Sequence, residues 1–152
     1  MTEQRGNEAG RAGEAMAYAF AGVLNEGDVG LLDGLLSEGY VNHNRYVEDG
    51  SEANKRFWAY WLAAFPDTEV TVEDAFASEA GDRLAGRFTY RATHTGEFMG
   101  AAPTGRRVEM TSIDVWRVED GRFVEHWDEL NGLEFFGQLG LVPTAQEGEG
   151  RV

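Results

Sequence analysis

Cysteine is absent from the 152 residues, which excludes a disulfide framework, a thiol nucleophile and thiolate-held zinc or iron–sulfur. Lysine occurs once, at Lys55, where its place beside Arg56 on a helical stretch reads as solvent-facing rather than as a Schiff-base amine. Positive charge of any kind is scarce: 13 Lys+Arg stand against 27 Asp+Glu, a net charge of −14. Neither nucleic acid nor an anionic membrane is therefore an expected partner, since both need a positive stripe that releases counterions. No apolar run approaches the roughly 18 residues that span a bilayer. Ala15–Ala21 has the composition of a signal-peptide core, but Glu3, Glu8 and Glu14 precede it and a helical pattern continues to Leu24, so a cytoplasmic location is expected.

What is present is enough apolar matter for one core, with 42% hydrophobic residues, nine Phe, five Tyr and four Trp. Residues 1–10 and 144–152 are small, polar and rich in Gly and Glu, and are expected to be loose tails that cannot offset their ordering entropy. Between them no repeat, linker or composition break interrupts the chain, so 11–143 is expected to be a single domain.

The apolar spacing predicts a first helix over 11–25, with Ala12, Met16, Phe20, Val23 and Leu24 inward and Gly27 as its stop. Asp28 is placed to cap a short second helix with Leu31, Leu32, Leu35 and Leu36 inward, ending near Gly39. Ser51 is the expected cap of a third, in which Phe57, Trp58, Trp61, Leu62 and Phe65 form one stripe, ended by Pro66. Beyond Pro66 the period changes to two. Strands are expected at 69–77, 83–95, 107–118 and 122–130, the last two joined by a Glu119-Asp120-Gly121 turn, with a short closing helix over 132–140. Helices followed by an antiparallel sheet make an α+β fold, and a curved sheet under three helices forms a cone with a pocket.

Strand parity assigns side chains to faces. One face carries Phe88, Tyr90, Ala92 and His94, then Ser112, Asp114 and Trp116, then Val124, His126 and Asp128. The opposite face carries Arg87, Thr89, Arg91 and Thr93, but also Ile113, Val115, Phe123 and Trp127, an apolar patch for which a homodimer is the simple cover. Asp114 sits among β-branched and aromatic neighbours, where a buried charge needs a partner, while a one-residue slip in parity would put it on the surface instead. His126 and Asp128, two apart, aim at one volume, although His126 taken alone reads equally as a core histidine. In simple hairpin register Asp114 and Asp128 come within reach of each other, and two carboxylates in an apolar pocket push one pKa toward neutrality.

Tyr40-Val41-Asn42-His43-Asn44 is a dense run of donors and acceptors in the expected connection between the second and third helices, and equally an ordinary Asx turn. No close-spaced metal-ligand pair, GxSxG, P-loop or Gly-rich βα fingerprint occurs, so neither metal nor cofactor is expected.

Tyr40-Val41-Asn42-His43, Ala64-Phe65-Pro66-Asp67, His94-Thr95-Gly96, Pro103-Thr104-Gly105-Arg106, Asp120-Gly121-Arg122 and His126-Trp127-Asp128 together resemble the SnoaL-like polyketide cyclase family across about 12–143. The resemblance implies an NTF2-like α+β cone and a cofactor-free intramolecular aldol closure of a hydrophobic polyketide ester. In it Asp128 is the acid/base, with Asp114 and His126 beside it. Tyr40 and Asn42 join His126 as donors, and His43, Phe57, Trp58, Trp61, Tyr90, His94 and Trp116 meet the substrate. One departure is Asp114, which stands where characterised anthracycline cyclases carry a His. A paired-Asp cone with a Tyr-x-Asn element is also similar to limonene-type epoxide hydrolases, except that Ser112 stands where those carry an Arg. A non-catalytic binding module remains a third reading.

Overall fold

The computed structural model describes residues 2–142, so the expected tail over 144–152 lies outside them. Helix α1 (Thr2–Glu26) is followed by a 3₁₀ helix (Val29–Gly34), strand β1 (Leu36–Asn42) and helix α2 (Ser51–Ala64). Strands β2 (Glu69–Ala77), β3 (Arg83–Thr93), β4 (Arg107–Glu119) and β5 (Arg122–Leu130) come next, and α3 (Gly132–Gln138) closes the chain. The sheet runs β1-β5-β4-β3-β2. The fold is α+β with helices packed on one sheet, as the pattern implied. Among the described residues no helix is long and apolar enough to cross a membrane.

Four local expectations need correction, each for a physical reason. The first helix starts at Thr2, nine residues before the expected 11, so residues 2–10 are helical. Small residues let α1 lie close against the β2–β3 turn: a Cβ on Gly13 would stand 2.8 Å from that of Ala77, and one on Gly81 would stand 2.6 Å from the Ala9 carbonyl oxygen. The expected second helix exists only as a 3₁₀ turn. Asp28 does cap it, accepting from the Gly30 N–H at 2.9 Å, but from Leu36 onward the chain is a strand parallel to β5. The sheet is therefore mixed rather than wholly antiparallel, and two α-helices rather than three precede β2. Finally, α2 begins at Ser51 itself behind Gly50, whose φ of 102° only glycine adopts readily, so Ser51 is not the cap.

Asp120 and Gly121, with φ of 50° and 71°, form the two-residue turn that sets the β4–β5 register. That register shifts between Arg117 and Val118, because Val118 pairs with Phe123 while Arg117 pairs with Glu125. The bulge turns Phe123 into the core, where it is fully buried and stacks on Trp116 at 4.7 Å, and it takes Val124 out of the inward set. Ile113, Val115 and Trp127 do lie on the outer face, 56%, 37% and 39% exposed. Between sheet and helices sits an aromatic core in which Phe20 meets Trp58, Phe88 and Trp116 at 5.4–5.7 Å.

Candidate active site

A cavity of about 740 Å³, mouth included, opens between α2 and the inner face of the sheet. Aromatic side chains make most of its walls, Trp58 stacking on Tyr90 at 6.1 Å and 8°. Polar groups gather at one corner. Tyr40, Asn42, Asp114, His126, Asp128, Phe57, Trp58, Trp61, Tyr90 and Trp116 all line it, so most of the residues singled out by sequence converge on one volume.

His43 and His94 do not, and both expectations are corrected. His43 sits at the end of β1 on the outer side, its ring 3.0 Å from a Glu125 oxygen and stacked on Trp127 at 5.0 Å. His94 is fully buried at the far end of the sheet, with Nδ1 against Thr104 and its ring 5.3 Å from Phe65. The loop after it gives Phe98 and Met99 to the cavity.

The hairpin sets Asp114 directly opposite Asp128, and Trp116 opposite His126. His126 Nε2 lies 2.8 Å from Asp114 Oδ1, and its Nδ1 lies 3.0 Å from Asn42 Oδ1. The Asn44 backbone N–H donates to that same Asn42 oxygen at 3.2 Å, which fixes the amide orientation and makes His126 Nδ1 the donor. A single proton then lies between Nε2 and Asp114, and the pair is net neutral whichever atom holds it. Asp114 Oδ2 accepts from the Ser112 hydroxyl at 2.5 Å. Trp116 stacks on the imidazole at 5.1 Å, and both members of the pair are buried.

Asp128 is held differently. Its Oδ2 accepts from Asn44 Nδ2 at 2.6 Å, while Oδ1 has no hydrogen-bond partner among the described residues. Burial pushes its carboxyl above the ordinary range, Asp114 and Glu129 add to that, and His126 and the Asn44 bond pull the other way. Burial, then Asp114 and Asp128, push the phenols of Tyr40 and Tyr90 far up, so both stay protonated as donors. Ligand atoms of Asp114, His126 and Asp128 lie within 4.8 Å of one another. Both nitrogens of His126 and both oxygens of Asp114 are already hydrogen-bonded, so the cluster offers a cation little beyond Asp128 Oδ1.

Asn44 and Ser112 were outside the predicted site. Ser112 shares the Asp114 face and was legible by parity. Asn44 stood in the donor-rich run after Tyr40, but which of those side chains reaches the carboxylates depends on β1 pairing with β5, and no local signal encodes that pairing.

An α+β cone whose cavity lies between a curved sheet and its helices is the NTF2-like arrangement. The sequence pattern of the SnoaL-like polyketide cyclases matches residues 14–139, and the chain belongs to that family. It is 28% identical over 118 residues to the aklanonic acid methyl ester cyclase DauD of Streptomyces sp. (strain C5), spanning 78% of this chain and 72% of DauD. Among solved structures, AclR from Streptomyces galilaeus, a candidate hydroxylase, is 33% identical with a TM-score of 0.77 over 89% of each chain. IdmH from Streptomyces antibioticus, a candidate polyketide cyclase, is 34% identical with a TM-score of 0.70 over 84% of this chain and 98% of its own.

Proposed function

We propose that the chain closes a ring within a neutral, polyketide-like ester by an intramolecular aldol-type addition, with Asp128 as the acid/base. The observation that carries the reading is the oxygen inventory of the acid corner. Asp114 has both oxygens engaged, whereas Asp128, which lines the cavity, has one oxygen without a hydrogen-bond partner among the described residues. Asp128 Oδ1 takes a proton from carbon next to a carbonyl. The resulting enolate oxygen meets the Asn42 Nδ2–H and the Tyr40 hydroxyl. Its carbon adds to a second carbonyl as the fold of the chain enforces close approach, and Asp128 gives the proton to the new alkoxide. Atoms balance without a co-reactant.

Three features support this substrate class. Asn42 Nδ2 and Trp58 Nε1 are buried without partners, so a ligand bearing acceptor oxygens relieves two unsatisfied donors. No Lys or Arg lines the cavity among the described residues, so a free carboxylate would face Asp114 and Asp128 with no fixed cation other than the neutralised His126 pair. An ester avoids that repulsion. The epoxide-hydrolase reading needs a guanidinium joining the two aspartates, and here Ser112 and His126 occupy Asp114 instead.

The test is Asp128→Asn, assayed on aklanonic acid methyl ester, the compound named for the relative DauD. With the fold retained, ring closure slows by about 10²-fold or more. Full activity in this variant removes Asp128 from the chemistry.

A further inference from the structure

The amide of Asn44 is fixed at both ends. Its Oδ1 accepts from the Tyr46 backbone N–H at 2.7 Å, which leaves Nδ2 as the end that faces Asp128 Oδ2 at 2.6 Å. Its own N–H holds Asn42 Oδ1, the acceptor of His126. One residue thus links the two halves of the acid corner, and it belongs to the segment between β1 and α2 whose Tyr46 and Val47 wall the cavity, Tyr46 resting edge-on against Phe136 at 5.2 Å.

We propose that Asn44 is the positioning residue of the acid corner: it occupies Asp128 Oδ2, so that Oδ1 is the oxygen that exchanges protons, and it holds Asp128 in the ionised form from which a reaction starts. The inference rests on the acid/base reading of Asp128. An amide N–H can only donate, so this bond is stronger to a carboxylate than to a neutral carboxyl. The charged and titratable groups around Asp128 are Asp114 on β4, His126 and Glu129 on β5, Tyr40 on β1 and Tyr90 on β3. Asp114 and Glu129 disfavour its charge along with burial. His126 favours it, but shares its proton with Asp114. Asn44 is the neutral donor that counters burial without itself titrating.

The test is a carbon-detected titration of the Asp128 carboxyl in the full chain, comparing wild type with Asn44→Ala and Asn44→Ser. Serine is the informative variant, because its hydroxyl can still accept from the Tyr46 N–H and keep the turn, yet it is too short to reach Asp128. Both variants are expected to move the Asp128 midpoint upward by about one pH unit, the worth of one hydrogen bond to a charged group. Asp67, whose carboxyl is held low by Thr93 rather than by this corner, stays where it is. An Asp128 midpoint unchanged or lowered in folded Asn44→Ser overturns the inference, whatever Asn44→Ala does to folding. The two readings fail separately: a shifted midpoint with full ring closure in Asp128→Asn would keep the electrostatic role of Asn44 and remove the acid/base role of Asp128.

Discussion

His126 on β5 and His94 just past β3 both turn inward from one sheet and both are buried, yet their surroundings differ in kind. His126 is bracketed by a carboxylate oxygen at 2.8 Å and an amide oxygen at 3.0 Å, beside a cavity. His94 has Nδ1 accepting from the Thr104 N–H at 3.2 Å, its Nε2 without a partner, and Phe65 against its ring. A nitrogen that accepts from a backbone N–H carries no proton, so the proton of His94 is on Nε2 and the ring is neutral. The difference teaches that burial alone does not make a histidine functional. What counts is whether the groups it faces need a proton between them and whether a ligand can reach them.

The sharpest way to break this contrast is Asp114→Ala, which leaves the buried His126 imidazole and the Ser112 hydroxyl without their shared acceptor. Removing one member of a buried charged pair is expected to cost about 3 kcal/mol, read as a fall in thermal midpoint of roughly 10 °C. An unchanged midpoint would mean that the pair contributes nothing to the fold. At the other end of the sheet, His94→Leu removes an unsatisfied nitrogen as well as the Thr104 contacts, so a loss of only about 1 kcal/mol in denaturant unfolding is expected, with ring closure unaffected. A large loss of activity there would return His94 to the site.

The smallest effect concerns Asp128 and stability. Folding raises its carboxyl above the ordinary value of 3.8, so the folded chain binds that proton more tightly than the unfolded chain. The resulting penalty is absent below the unfolded value, grows as pH rises through the interval between the two, and is full above the folded value. Asp128→Asn should therefore melt slightly higher than wild type at neutral pH, by about 2 °C, and lose that advantage in acid. Thermal melts across pH 3–8 check the sign. A variant less stable at neutral pH would show that the charged carboxylate stabilises the native state. Loss of activity together with gain of stability is the pattern expected where a site is strained for function.

Much of this was legible in the chain. The period-two patterns of β2 to β5, the Asp120-Gly121 turn and the aromatic stripe of α2 are local signals, but the turn by itself would set Asp114 against Trp127, and it is the bulge between Arg117 and Val118 that brings Asp114 opposite Asp128. The misread segment was 35–42. Leu31, Leu32, Leu35 and Leu36 repeat at helical spacing, and the partner that makes a strand of Leu36–Asn42 is β5, more than eighty residues further on. The parity of Phe123 failed for a related reason, since a bulge depends on how two strands meet and not on either one alone.

The sequence by itself determined the class of fold, the β4–β5 hairpin whose inner face carries both aspartates, and a site built of carboxylates, imidazole and aromatic rings without thiols and with almost no amines. These follow from residue type and short-range periodicity, which act on the backbone directly. Only the tertiary structure decided which histidine joins the carboxylates, which aspartate keeps a free oxygen, and that Asn44 reaches Asp128 across eighty-four residues of chain. Those outcomes turn on the parallel docking of β1 against β5, a long-range contact whose geometry no neighbouring residue encodes.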